Sequence, residues 1–197
     1  GIDANTMLLL HFDNNVTDSS PTTPHTVTNN NVTFSSTEHV FGGYSAEFSG
    51  SSSYLSIPDD NDFDFSGGTF TIDLRIWVDD LSVNRPIFYQ KTDSERYVKL
   101  YVSTTGCVIL KIYNNPSTTW TGTTTVSVGD AVIPTSSNGY FYECTASGTT
   151  GDTEPTWPTT VGDTVEDGGV TWTCREIVDV SLATASVIST LKWYHVE

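Results

Sequence analysis

The densest run of groups able to do chemistry in this chain is Asp59-Asp60-Asn61-Asp62-Phe63-Asp64. It is rich in oxygen, the ligand that hard cations take. As a helix–loop–helix calcium loop it fails, because Phe65 stands where glycine is needed and no glutamate closes the loop. It therefore reads as a solvated turn whose Asp and Asn side chains cap backbone N–H groups. Glycoside hydrolysis would need two carboxylates facing one cleft, which on a strand means alternate positions. Glu176 and Asp179 come nearest, but their odd spacing puts them on opposite faces, and no Glu-x-Asp-x-x-Glu arrangement occurs. His11, His25, His39 and His195 show no zinc-like spacing, and His195, next to Val196 in a strand-like run, reads as structural.

The three cysteines are too few for a disulfide framework, and an odd count leaves at least one unpaired within the chain. Alternation places Tyr140, Tyr142 and Cys144 on one strand face, and Val170, Trp172 and Cys174 on another. If those faces meet, Cys144 and Cys174 either form a disulfide or remain two buried thiols, and both readings stand. Cys107 reads as an ordinary strand thiol, and no Cys–His pairing marks a nucleophile. Exposed Trp or Tyr rings can serve as flat platforms for the apolar C–H faces of sugars. Trp157, between Pro155 and Pro158, is the leading candidate, followed by Trp120 and Trp77. The competing reading of Trp157 is a lid over a small core. Trp172 and Trp193 read as core.

Across the whole chain, 8 Lys+Arg against 24 Asp+Glu give a formal net charge of −16. Such a surface repels nucleic-acid phosphates and anionic membranes. No run is long and apolar enough to span a bilayer, Met7–Leu10 being far too short. Gly1 to Asn5 lacks the basic start of a signal peptide, and without an initiator Met the sequence is expected to begin inside a longer polypeptide or after processing. Thr, Ser, Asn and Gly replace helix-forming residues on the surface, which argues for an all-β chain. Asn15-Val16-Thr17 and Asn31-Val32-Thr33 match the N-glycosylation pattern, which arises readily in so Thr/Asn-rich a sequence.

Period-two alternation is the main structural signal. Phe70, Ile72, Leu74, Ile76 and Val78 share one face of a strand, and Thr71, Asp73, Arg75 and Trp77 the other. Val98, Leu100 and Val102, set against Tyr97, Lys99 and Tyr101, form a hairpin through Gly106 with Val108, Leu110 and Ile112. Met7–Phe12 reads as a strand, and Ala46–Phe48 with Tyr54–Ile57 as a second hairpin. From Asn114 the texture changes. The expected organisation is a β-sandwich over residues 1–114 and 179–197, with a small β insert over 115–178.

The pieces Thr6–Asp13, Phe41-Gly42-Gly43-Tyr44-Ser45-Ala46-Glu47-Phe48, Tyr54–Pro58, Phe63-Asp64-Phe65 with Phe70–Asp73, and Lys192-Trp193-Tyr194-His195-Val196 occur in this order. In that order they resemble the laminin-G-like (concanavalin A-like) jelly-roll domains of bacteriophage tail and fibre proteins. The segment holding Val128-Gly129-Asp130, Gly139–Thr145, Glu154-Pro155-Thr156-Trp157-Pro158 and Asp167–Trp172 is similar to a small module recurrent in phage tail proteins.

The resemblance implies an antiparallel jelly-roll sandwich, with the intact polypeptide supplying further strands after Glu197. It implies a lectin-like, non-catalytic module on a virion surface that binds a host glycan or receptor. The alternatives are a decoration domain contacting other virion proteins, or a carbohydrate-binding module attached to an enzyme. Rim Ca²⁺ sites in relatives make Asp13, Asp18, Asp60 and Asp62 ligand candidates, and Ca²⁺ the one cofactor implied. Fibre proteins are often trimers, so the analogy extends to a homo-oligomer, although no heptad pattern is present.

Overall fold

The computed structural model describes residues 2–50, 52–65 and 69–197. The chain is all-β, and its named strand pairs are antiparallel. The strands are β1 (Thr28–Asn30), β2 (Thr33–Ser35), β3 (Ser45–Glu47), β4 (Tyr54–Ser56), β5 (Leu74–Trp77), β6 (Arg85–Lys91), β7 (Arg96–Val102) and β8 (Cys107–Asn114). They continue with β9 (Thr125–Val126), β10 (Ala131–Val132), β11 (Tyr140–Ala146), β12 (Gly148–Thr149), β13 (Thr164–Asp167), β14 (Val170–Glu176), β15 (Val178–Val187) and β16 (Trp193–Val196). Among the described residues the only helical piece is a 3₁₀ turn, Asn61–Phe63.

Two compact units divide the chain, Gly1–Trp77 with Trp193–Glu197, and Val78–Lys192. The sheet containing β6, β7, β8 and β15 belongs to the same unit as the segment between β8 and β15.

In the first unit three short two-stranded ladders form: β1 with β4, β2 with β3, and β5 with β16. Two expectations are corrected here. Ala46–Phe48 and Tyr54–Ile57 do not pair with each other; β3 turns to β2 and β4 to β1. Met7–Phe12 is not a strand, and its one ladder contact is the bridge Leu10↔Asp18. The Asp18 carboxylate takes the Leu9 N–H at 3.0 Å, so a side chain replaces a partner strand there. Val32, at 5 % exposure, is the one buried hydrophobic residue described in this unit, whereas Phe41 is 70 % exposed. Buried polar side chains (Asp18, Ser20 and Ser53) do much of the organising instead.

The second unit holds two four-stranded sheets, ordered β15-β8-β7-β6 and β10-β11-β14-β13, and the small pair β12-β9. The β7–β8 hairpin forms as expected, in the register Leu100↔Leu110 and Val98↔Ile112. Gly106 closes it at φ +82, and a Cβ there would lie 2.3 Å from the Ile188 carbonyl oxygen, so only glycine fits. In the second sheet, alternation of β11 and β14 places Tyr142, Cys144, Trp172 and Cys174 in one core with Val132 and Val170. Arg96 of β7 joins the two sheets' regions: its guanidinium pairs with Asp93 at 2.7 Å and donates to the Gly129 carbonyl at 2.7 Å.

Candidate functional site

The β15-β8-β7-β6 sheet has two chemically distinct faces. Residues opposite one another in an antiparallel ladder share a face, so one side carries Val98, Leu100, Leu110, Ile112, Val180 and Leu182. The other side carries Tyr89 and Lys91 from β6, Tyr97, Lys99 and Tyr101 from β7, and Lys111 and Tyr113 from β8. Four of the chain's nine tyrosines and three of its four lysines therefore share one face. In a chain of charge −16 this is a local reversal of sign.

The rings form a row across three strands. Tyr89 meets Tyr97 edge-on at 5.7 Å between centroids, and Tyr97 meets Tyr113 at 5.4 Å. The ammonium groups stand over these rings. Lys99 Nζ lies 4.9 Å from the Tyr101 centroid and 5.8 Å from that of Tyr89. Lys91 Nζ is 5.7 Å from Tyr89, and Lys111 Nζ is 5.0 Å from Tyr113. Each such contact contributes about 0.5–1 kcal/mol at an exposed site and fixes the long side chains in place. Lys111 also pairs with Asp179 on β15 at 3.6 Å. Desolvation alone would lower the Lys111 pKa, but Tyr97, Asp179 and Tyr113 together raise it, which favours the charged form. Tyr89 remains 48 % exposed. The face offers flat apolar rings and positive charge together.

Trp157 and Trp120, both candidate sugar platforms, pack against the core of the second sheet. Trp157 lies over Tyr142 at 4.2 Å between centroids and meets Trp172 edge-on at 6.2 Å. It also borders a shallow cleft of about 390 Å³ lined by Thr135, Asn138 and Glu154. Glu154 accepts from the Thr135 backbone N–H at 2.9 Å, from the Trp157 indole at 2.8 Å, and from the Thr135 hydroxyl. Burial would raise its pKa, but these donors lower it, and the carboxylate is engaged within the fold. Trp120 donates its indole N–H to Asp167 at 2.7 Å. Trp77, half-buried on β5, lies opposite Trp193 of β16 with centroids 5.9 Å apart.

Cys144 and Cys174 are buried free thiols, so the disulfide alternative is corrected. Register supplies the reason. Cys144 sits opposite Trp172 and Cys174 opposite Tyr142, which makes the cysteines diagonal neighbours. Diagonal pairs stand about 7–8 Å apart, beyond the usual Cα separation for a disulfide. Burial pushes both thiols' pKa values up.

The four acids marked for Ca²⁺ do not form one oxygen cage. Asp13 accepts from the Gly43 backbone N–H at 3.0 Å and borders a different pocket with His11 and Phe41. Asp18 is buried and fully engaged. Its Oδ1 accepts from Leu9 N–H at 3.0 Å and Ser20 N–H at 2.9 Å; its Oδ2 accepts from Ser20 Oγ at 3.0 Å and His25 N–H at 2.7 Å, with His25 Nδ1 at 3.2 Å. Burial would raise the Asp18 pKa, but the backbone donors of His25, Leu9 and Ser20 outweigh it and lower it to about 2. Asp60 caps the 3₁₀ turn by accepting from Asp62 N–H at 3.1 Å. Asp60 and Asp62 do come together, on the far side of the His25 ring from Asp18.

No protein-family model matches the chain, and no curated protein or solved structure matches it either. Among the described residues no helix is long and apolar enough to cross a membrane. Fold and site together define an all-β protein with an aromatic, cationic sheet face.

Proposed function

We propose that this protein is a non-catalytic adhesion module whose ligand is a surface glycan held on the Tyr–Lys face of the β6-β7-β8 sheet. Following the resemblance, the module belongs to a laminin-G-like jelly-roll sandwich on a virion appendage, and the glycan to the host. The observation that carries the reading is the row Tyr89–Tyr97–Tyr113 with Lys91, Lys99 and Lys111 set over and beside it. Pyranose rings stack on such flat apolar surfaces through their C–H faces, while phenol and ammonium groups hydrogen-bond to hydroxyl or carboxylate substituents. An open face suits an extended polysaccharide better than a small molecule, which needs a concave pocket.

A glycan array of host-surface polysaccharides, neutral and carboxylated, tests this reading. The expected result is binding that Tyr97→Ala weakens by ~10-fold or more, equivalent to about 1.4 kcal/mol, with an unchanged circular dichroism spectrum. Absence of binding to every polysaccharide overturns it.

A second reading, a decoration domain docked on another virion protein, is favoured by the opposite face of the same sheet. Val180 is 40 % and Leu182 60 % exposed there. It predicts a large protein–protein interface over β15 in the assembled particle and no glycan binding.

A further inference from the structure

We propose that His25, Asp60 and Asp62 form a binding site for a divalent transition-metal ion such as Zn²⁺, Co²⁺ or Mn²⁺, with Asp18 as the residue that positions the imidazole. The inference is independent of the glycan reading.

The His25 side chain is 7 % exposed, and its Nε2 is buried with no hydrogen-bond partner. Unpartnered buried polar atoms are rare and need an explanation. The ring is held at its other nitrogen. Asp18 Oδ2 already accepts from the His25 backbone N–H and the Ser20 hydroxyl, so Nδ1 is the donor across the 3.2 Å to that oxygen. The backbone N–H of His25 donates to the same oxygen at 2.7 Å, and Phe63 packs on the ring at 4.8 Å between centroids. These contacts set the tautomer and orientation that leave Nε2 as the free ligand atom. A carboxylate behind a metal-binding histidine performs this task in metalloproteins generally.

Nε2 faces the Asp62 carboxylate, and the Asp60 carboxylate lies close by. Asp62 Oδ2 is 3.5 Å away, and one ligand atom from each of His25, Asp60 and Asp62 lies within 4.8 Å of the others. A buried imidazole nitrogen left without a hydrogen-bond partner beside two carboxylates is completed by a cation. Ligands about 2.1 Å from one ion stand roughly 3–4 Å from each other, so a small side-chain rotation closes the set. Asp60 is exposed and Asp62 is 28 % exposed at its side chain, which leaves an entry path and room for bound water. One imidazole and two carboxylates suit zinc, cobalt or manganese; Ca²⁺ takes six to eight oxygens and gains little from the nitrogen.

The test titrates the full chain with Zn²⁺, Co²⁺, Mn²⁺ and Ca²⁺ by calorimetry, and follows the His25 ring nitrogens by NMR with Zn²⁺. Asp60→Asn and Asp62→Asn are the main variants. Both change the exposed side of the site, and Asn at position 60 keeps an oxygen for the cap, so neither depends on replacing the buried histidine. Saturation at one equivalent of a transition metal is expected, with His25 Nε2 shifted by Zn²⁺. Affinity should fall at least ~10-fold in each variant. Asp18→Asn should weaken binding by about 10–100-fold while still allowing the Nε2 shift. Four results overturn the proposal: no saturable transition-metal binding, binding that the Asp60 and Asp62 variants leave intact, binding that does not move His25 Nε2, or Ca²⁺ competing at equal concentration. In those cases His25 is a structural link between Asp18 and Asp62.

Discussion

Trp120 and Trp172 donate their indole N–H groups to the same oxygen, Asp167 Oδ2, at 2.7 and 2.9 Å. Asp167 is 3 % exposed, and its other oxygen takes the Gly151 N–H at 2.8 Å. One buried carboxylate thus ties the loop before β9, the loop after β12 and the core tryptophan of β14. Removing it by Asp167→Ala strands three donors, two of them indoles, and each stranded buried group costs about 1–3 kcal/mol. Equilibrium urea unfolding followed by tryptophan fluorescence should show a loss of roughly 3 kcal/mol or more.

The diagonal placement and burial of Cys144 and Cys174 set their reactivity. Both thiols are buried with raised pKa values, whereas Cys107 is only partly buried. Thiolate is the reactive form, so a thiol reagent should label at most Cys107 in the native protein at pH 7.5 and all three cysteines in urea. Mass spectrometry after mild oxidation should find no intramolecular disulfide.

Asp18 makes the stability of the first unit depend on acid. Its folded pKa of about 2 lies below the ordinary value of 3.8. The unfolded chain therefore takes up the proton first as pH falls. Stability from Asp18 is complete above the unfolded value and is lost between about pH 5 and pH 2. The gap corresponds to roughly 2 kcal/mol. Asp18→Asn should lower stability at pH 7 and flatten its pH dependence over that window by about this amount, measured by urea unfolding at each pH.

Gly106→Ala places a methyl group where the Ile188 carbonyl oxygen is 2.3 Å away, at φ +82. The left-handed backbone alone costs about 1–2 kcal/mol for a residue with a side chain, and the clash adds to it. The melting temperature should fall, and the amides of β7 and β8 should lose hydrogen-exchange protection before those of β11 and β14.

What the sequence made legible follows from periodicity. The β7–β8 hairpin, the β16 strand and the shared face of β11 and β14 all come from runs of four or more residues, long enough for alternation to choose a face. The pairings of β1 with β4 and β2 with β3 involve three residues each, too few to carry a pattern, and their partners are set by tertiary context. Met7–Phe12 misleads because the Leu9 backbone N–H is taken by the Asp18 side chain and not by a partner strand. The grouping of His25 with Asp60 and Asp62 is not legible in the sequence, because the acids lie more than thirty residues away, joined by loops whose course no spacing rule predicts. The Tyr–Lys face was partly visible: Tyr97, Lys99 and Tyr101 alternate with Val98, Leu100 and Val102. Their assembly with Tyr89, Lys91, Lys111 and Tyr113 needed the register of three strands.

The adhesion reading is tested most directly by mapping where a bound polysaccharide fragment touches the protein. Backbone and side-chain NMR shifts of isotope-labelled protein, titrated with an oligosaccharide from the best array hit, should move at Tyr89, Tyr97, Lys99, Lys111 and Tyr113 and saturate together. Saturable binding that moves the Trp157 cleft or any other surface while leaving these five residues still would contradict it.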